Sequence, residues 1–517
     1  MRRCTLVFAF MIALQGNAQQ IVQLKYDPQA SEARLTWTSR TGLVYRIQST
    51  GCLAGQVWTN ASPDGVVATG QTTTYSVEAS EPVAFFTITH ASIFVAPDGD
   101  DANAGTPCHP LRSIQAGILR AKQEDKDVRI AAGSYTSGTV FLADGVSLYG
   151  GYDPESWQRN EANHVVIVHD GSLYDGAVIG IKGKDIASET VIEFISIQTP
   201  DAVGSGVSNY GVHLERCDGL TLRQNVIAAG GGSDGADGTA GMDGENGTNG
   251  GDGVNGNPDA DVNARGGDGG SSPVGRYGGE GGRGSYGNQD GQAGYPGIIN
   301  TQGGSGGIAA GCNKGGDGEP GDHGLSGEDG ANGDDGSAGD VISGYWRSDD
   351  GLPGTNGTHG HGGGGGGGGA GRGGMFCIDG TGNGGGGGGG GAQAGTSGTG
   401  GQGGGGSFGV FIVDSEGLEL LGNTITSGNG GAGGTGGTGG SPGLGGAGGA
   451  GAESFPDEVG RGGDGGAGGD GGRGGNGGDG ANGPSFAMYA HESTVISSDN
   501  ILSYGKNAEA GLSGLID

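Results

Sequence analysis

Tyr210-Gly211-Val212-His213-Leu214, Gly219-Leu220-Thr221-Leu222 and Asn225-Val226-Ile227 decide the fold, because the unit they form returns twice. Phe408-Gly409-Val410-Phe411-Ile412 runs through Gly417-Leu418-Glu419-Leu420 to Asn423-Thr424-Ile425. Phe486-Ala487-Met488-Tyr489-Ala490 runs, one residue shorter, to Asn500-Ile501. Each unit is a pair of short strands with period-two alternation, too small to bury its apolar face alone, so the copies must stack. Stacking at the usual strand spacing of about 4.8 Å points Val212, Leu214, Val410, Ile412, Met488 and Ala490 inward. Asn225, Asn423 and Asn500 then superimpose as a ladder whose amides bond along the stack and satisfy turn backbone, a structural role.

Two glycine-rich insertions, 230–407 and 428–484, separate the units. Glycine recurs at every third residue from Gly235 to Gly256 and from Gly318 to Gly339, and Gly462 to Asn482 is mostly Gly-Gly-X with Asp464, Ala467, Asp470, Arg473, Asn476 and Asp479 in third place. Collagen is excluded, since only 16 of 517 residues are proline where a collagen-like segment needs about 15–20%. Disorder competes, because ordering glycine carries the largest backbone entropy cost. The period favours a bundle of polyglycine-II-like helices: three residues per turn bring glycine to the same faces, so backbones approach and bond. Insertion between stacked coils fixes both ends of each excursion and lowers its closure cost.

Upstream, residues 19–90 alternate apolar and polar positions around Leu35, Trp37, Tyr45, Ile47, Trp58, Tyr75 and Phe86, with turns such as Ser62-Pro63-Asp64-Gly65, predicting a small antiparallel β-sandwich. Trp37 and Trp58 would stack on sugars if this module bound glycan; the plainer reading places both in its core. Ile93 to Pro97 reads as a strand, Asp98 to Thr106 as a loop, and Ser113 to Lys122 as a short helix with Ile114, Ile118 and Ala121 on one apolar face. Ile93 to Asp153, with Asp98-Gly99-Asp100-Asp101-Ala102-Asn103-Ala104-Gly105-Thr106, Pro110-Leu111-Arg112-Ser113-Ile114-Gln115, Ala132 to Tyr135 and Asp144 to Tyr152, resembles the opening of the pectin-lyase-like right-handed parallel β-helix proteins. The resemblance implies a helix capping the open end of a right-handed parallel β-helix, and it implies fold more firmly than function. Arg34 to Thr50 with Trp58-Thr59 resembles a small β-rich module that precedes other domains in exported bacterial proteins.

Composition bounds the function. Glycine supplies 133 residues, far above the about 7% of ordinary chains, and a 32% hydrophobic content cannot give one compact core at this length. The formal charge of -32, from 57 acids against 25 bases, argues against nucleic acid and anionic membranes and allows diffuse binding of divalent cations. Arg2-Arg3, the apolar run Leu6 to Leu14 and the small residues Gly16-Asn17-Ala18 read as a cleavable export signal, and no stretch is long enough to span a bilayer. Cys4 leaves with that signal. Cys52, Cys108, Cys217, Cys312 and Cys377 then allow two disulfides and a spare thiol, with Cys312 and Cys377 placed to staple the glycine-rich part.

A β-helix invites polysaccharide-lyase chemistry, in which a Lys or Arg base works beside Asp-held calcium. Lys182, Lys184 and Arg223 with Asp185 or Glu215 are the residues that would carry it, and His213 shares an outward face with Glu215. The column His213, Phe411, Tyr489 reads instead as a packing surface beneath a glycine lobe. Gly315-Gly316-Asp317-Gly318 begins a calcium-binding nonapeptide, but Pro320 stands where Asp is required. His359-Gly360-His361 lacks a third metal ligand, and the run Gly362 to Gly369 has no phosphate-loop Lys-Ser/Thr. The expectation is therefore no catalytic, cofactor or metal site. The chain reads as a signal at 1–18, a β-rich module at 19–90, capped coils at 91–229, an insertion at 230–407, a coil at 408–427, an insertion at 428–484 and a last coil at 485–517. The expected function is an exported structural or surface-interaction protein, adhesin-like or part of an envelope matrix, meeting extracellular polysaccharide or cell-surface components. The rival is a carbohydrate-active β-helix protein, a lyase, hydrolase or binding module.

Overall fold

The computed structural model describes residues 21–27, 29–39, 44–50, 59–62, 65–78, 85–90, 92–299, 301–506 and 513–514. The export signal, Cys52 and Trp58 lie outside them. In the N-terminal module Glu32–Thr38 pairs antiparallel with Ile21–Asp27 and Thr72–Glu78, while Val44–Thr50 pairs with Thr59–Asn60, Val66–Val67 and Phe85–His90. The two sheets share one core. Ala33, Leu35 and Trp37 enter it from alternate positions of one strand, and Tyr45, Ile47, Phe86 and Ile88 meet them from the other sheet.

Beyond residue 92 the chain deals its strands in rotation to three parallel sheets. The first holds Ser92–Val95, Asp127–Ala131, Leu148–Tyr152, Thr190–Glu193, Leu220–Arg223, Glu416–Leu421 and Thr494–Ser498. The second holds Gly133–Ser137, Val165–His169, Ile195–Gln198, Val226–Ala228, Thr424–Thr426 and Ile501–Ser503. The third holds Val140–Phe141, Val178–Lys184, Asn209–Glu215, Ser407–Val413, Ser485–His491 and Ser513–Gly514. Within each sheet the strands lie in chain order, so each circuit rests on the one before it. Like residues stack on like in the shared core: Leu148, Ile192, Leu222 and Leu420; Ile167, Ile197, Ile227 and Ile425; Val212, Val410 and Met488. These rows are continuous apolar columns, which is what lets β-branched and leucine side chains close-pack without voids.

A helix closes the start of this stack. Ile114–Glu124 lies over it, with Ile114, Gly117, Ile118 and Ala121 buried. Ser113 caps the helix by accepting from the Ala116 N–H at 3.2 Å, and Asp101 fixes the cap by accepting from the Ser113 N–H and hydroxyl. The helix continues past Lys122 to Glu124, where Asp125 takes the left-handed conformation that ends it.

The asparagine ladder runs through the last three circuits. Asn423 Oδ1 accepts from the backbone N–H and Nδ2 of Asn225 at 3.0 and 3.1 Å, and Asn500 Oδ1 accepts likewise from Asn423 at 2.8 and 2.9 Å. Each Nδ2 also donates to a carbonyl of the circuit below, at Ile192, Leu222 and Leu420.

Both glycine-rich insertions leave from the same corner, between the second and third sheets, one circuit apart. Their backbones bond to one another with a three-residue period. Gly235, Gly238, Gly241, Gly244, Gly247, Gly250 and Gly253 donate to carbonyls at every third residue from Ala432 to Ala450. The 315–338 segment runs parallel to 460–483 in the same manner, and 351–371 runs antiparallel to 381–406.

The two unbroken glycine runs sit where this packing is densest. Gly363 to Gly368 donate in turn to the segments around Gly389, Asp322 and Tyr295, and accept from those around Gly466, Gly279 and Gly304. Gly384 to Gly391 likewise have six neighbouring segments, donating to Val254, Gly282 and Gly463 and accepting from Gly267, Gly366 and Gly449. With six neighbours no residue of the triplet faces water. A Cβ on Gly363, Gly364 or Gly365 would fall onto the carbonyl oxygen of Gly466, Gln302 or Glu280. Segments at the edge of the bundle, such as 318–337, keep glycine only at every third position and expose the other two.

Candidate functional site

Of the residues singled out for catalysis, Lys184, Asp185 and Glu215 meet in one ion-pair network through Arg216, while Arg223 stands apart on another sheet. Lys182 and Lys184 lie on the third sheet and Arg223 on the first. Arg223 Nε donates to the buried carboxylate of Glu193 at 2.7 Å, which Arg159 also holds at 2.6 Å. Asp185 is bound to Arg216 at 2.7 Å. Glu215 lies between Lys184, at 2.9 Å, and Arg216. Burial raises the proton affinity of Glu215, but those two cations outweigh it and hold the carboxyl below its usual range.

What does assemble is a group around Lys182 that needs a hairpin from inside the first insertion. Gly339–Ile342 and Tyr345–Ser348 pair antiparallel around Ser343 and Gly344, whose φ angles of 52 and 81° make the tight two-residue turn that matches strand twist. The hairpin folds back over the third sheet. Trp346 and Tyr345 pack on Tyr210, Phe408, Phe411 and Tyr489, and the Trp346 N–H donates to the Tyr210 hydroxyl at 3.0 Å. The outward column His213, Phe411, Tyr489 is thus a packing surface, with Phe411 and Tyr489 stacked at 5.2 Å.

At the edge of that aromatic layer Lys182 Nζ donates to the Tyr345 hydroxyl at 2.7 Å, and Tyr345 donates to Asp175 at 3.0 Å. His213 Nε2 meets the Gly344 carbonyl at 2.8 Å, so that nitrogen carries the proton and Nδ1 faces Lys182 at 3.4 Å. Burial lowers the Lys182 ammonium's proton affinity. Burial first, and the Lys182 charge second, push His213 down to about 4. Burial and then Asp175 push the Tyr345 phenol up. A lysine beside a tyrosine is the donor set of a general base. Here Lys182 and His213 are both buried beneath the hairpin, and the set fastens the insertion to the coils.

Sequence reading missed Tyr345 and Asp175. A signal for the hairpin was present: Val341-Ile342 and Tyr345-Trp346 flank Ser343-Gly344 within an otherwise triplet-repeating stretch.

On the bundle surface the polar third-place residues have a specific task. An edge residue's backbone N–H points where no further segment lies, and a neighbouring Asp or Asn accepts it. Asp234, Asp237, Asp243, Asn246, Asn249 and Asp252 accept from Ala432, Thr435, Ser441, Leu444, Ala447 and Ala450 at 2.6–2.9 Å. Asp317, His323, Asp329, Asn332 and Asp335 do the same for Arg461, Ala467, Arg473, Asn476 and Asp479. His359 Nδ1 accepts from the Ala394 N–H at 3.0 Å. Among the described residues no three His, Cys, Asp or Glu side chains gather as metal ligands. Trp37 is fully buried against Tyr45 and cannot stack on a sugar.

Cys312 and Cys377 form a disulfide across 65 positions. Among the described residues Cys108 and Cys217 are free, and burial pushes the Cys217 thiol up to about 11, which keeps it protonated and inert. No described helix is long and apolar enough to cross a membrane.

The chain is thus an all-β protein of long parallel sheets with smaller antiparallel ones, carrying a hydrogen-bonded glycine-rich bundle. Comparison with protein-family models, with curated proteins and with solved structures finds no match to it.

Proposed function

We propose that this is an exported structural or surface-interaction protein without catalysis, in which a right-handed parallel β-helix of the pectin-lyase-like kind carries a polyglycine-II-like bundle as a stiff projection. One observation carries the reading. The two insertions bond to each other with the same 198-residue interval that relates the coils beneath them, Asn225 to Asn423 and Asp234 to Ala432. Coil and bundle therefore form one registered body, and its exposed side chains are largely consumed in holding that register. The polysaccharide-lyase alternative is disfavoured by Lys182, Glu215, Arg223 and Asp185, each already bound to a protein partner. The export signal read at 1–18 supports work outside the cytoplasm, against extracellular polysaccharide or cell-surface components, with divalent cations held only diffusely by the acidic surface.

The test is turnover. Purified protein is incubated with polygalacturonate, alginate and chondroitin sulfate, with and without calcium, and unsaturated product and reducing ends are followed. No turnover above background is expected. Turnover that disappears in Lys182→Ala or Arg223→Ala would overturn the reading in favour of a carbohydrate-active enzyme.

A further inference from the structure

We propose that the far end of the glycine-rich bundle is a docking knob, formed by Met375, Phe376 and Ile378, for a partner protein that offers an apolar socket edged by Lys and Arg. The proposal rests on the surface-interaction reading above and names where that interaction is made.

The segments of the bundle turn back at the end remote from the coils through five connections: 257–263, 286–290, 310–314, 372–380 and 453–459. These are tied into one platform. Thr381 bridges to both Asn257 and Tyr286, the Gly311 N–H donates to Asn288 at 3.0 Å, and Arg372 pairs with Glu458 at 2.9 Å. The Cys312–Cys377 disulfide joins two of the five. From this platform the hairpin of Arg372–Gly374 and Cys377–Gly380 projects its tip. Met375 and Phe376 are each 92% exposed and Ile378 63%.

Three large apolar side chains held this far into water contribute little to folding, since among the described residues little covers them. They are also rigidly presented. A disulfide and the surrounding backbone bonds fix the hairpin before any partner arrives, so little ordering cost remains for binding. Aromatic and methionine anchors entering a socket are the side chains that dominate protein interfaces.

Charge selects the partner. The five connections carry Asp259, Asp261, Asp290, Asp379, Glu453, Asp457 and Glu458 against only Lys314 and Arg372, seven acids to two bases. Both bases are already paired, Lys314 with Asp317 at 3.1 Å and Arg372 with Glu458. An acidic bundle end carrying an apolar tip is repelled by anionic lipid headgroups and is complementary to a socket bordered by Lys and Arg.

The probe is a random library of disulfide-constrained peptides, selected on the immobilised, oxidised full-length protein. The selected peptides are expected to carry aromatic or aliphatic residues bracketed by Lys or Arg. A synthetic peptide from the selection is expected to bind at least tenfold more weakly to Met375→Ser/Phe376→Ser, whose circular dichroism should match the parent because neither side chain is packed. Asp259→Lys/Asp261→Lys is expected to slow its association and flatten its salt dependence. Selected peptides that bind the Met375→Ser/Phe376→Ser variant unchanged, or a selection with no tip-dependent binder, overturn the proposal. So does co-flotation of the protein with phosphatidylcholine vesicles that is lost in the same variant, which would assign the knob to a lipid surface. Polysaccharide turnover is read in the separate assay above, so the two readings fail independently.

Discussion

Asp234 Oδ1 accepts the backbone N–H of Ala432 at 2.7 Å, and the 198 positions between them equal the interval from Asn225 to Asn423 in the coils below. The second insertion thus lies on the first as one circuit lies on another, and the apolar columns of the β-stack set the register of segments that have almost no apolar residues. That relation also explains the charge. Acids every third residue look like cation collectors, yet Asp234, Asp237, Asp243 and Asp252 each close the backbone of the next segment. The Thr435 N–H and then its hydroxyl, bonding to the charged form, hold Asp237 below its usual range. Its contribution is therefore present at neutral pH and is lost as acid protonates it below its ordinary 3.8.

The glycine runs should tolerate no side chain. Gly365→Ala would drive a Cβ into the Glu280 carbonyl, and the six segments bonded around the Gly363–Gly368 run leave Gly365 no room to shift away from it. A loss of about 3 kcal/mol is expected, at the upper end for overpacking. Ser326→Ala, at an exposed position of an edge segment, should change the urea midpoint by no more than about 0.5 kcal/mol equivalent. Equal midpoints for the two variants would refute the six-neighbour arrangement.

The ladder makes a graded prediction. Asn423→Ala leaves the buried Asn225 N–H without its acceptor and Asn225 Nδ2 with only the Ile192 carbonyl, and a buried orphaned donor costs about 1–3 kcal/mol. Asn500→Ala removes the same bonds from Asn423, but at a partly buried site nearer water. Denaturant unfolding should therefore show the larger loss for Asn423→Ala. The reverse order would mean that the amides do not bond along the stack.

Much of this was legible because two periods dominate the sequence. Alternation placed Val212, Val410 and Met488 in one column, and the triplet marked both insertions as regular. The neighbours of each glycine segment were not legible, because glycines are interchangeable and register comes from the coils and the connection lengths. Trp37 read ambiguously as glycan platform or core, and burial against Tyr45 decides for the core. The fastening of Lys182 by Tyr345 was invisible for another reason. The residues are 163 positions apart and no local pattern links them.

Removing residues 431–483 in favour of a short linker should loosen the first insertion while sparing the coils. Gly386, Gly389 and Ala392 donate into the 460–483 segment, and Gly405 and Gln402 accept from 431–434. Hydrogen exchange of 351–406 is expected to rise by orders of magnitude, with protection of 165–228 retained. Unchanged protection in 351–406 would show that the first insertion is ordered by itself and that the registered-body account is wrong.

The His213 fastening predicts an acid sensitivity with a definite window. His213 is neutral in the folded protein with its pKa at about 4, against 6.5 when unfolded. The unfolded chain therefore binds a proton that the folded one refuses, and stability falls as pH drops from 6.5 toward 4 and then levels off. The penalty is on the order of 3 kcal/mol when complete. His213→Phe keeps a ring against Phe411 and gives up the bond to Gly344, so it should be less stable at pH 7.5 and lose less on acidification. Urea midpoints of both proteins between pH 7.5 and 4.5 read this directly. Parallel curves for parent and variant would show that the acid sensitivity lies elsewhere and that His213 is not the titrating residue of the hairpin contact.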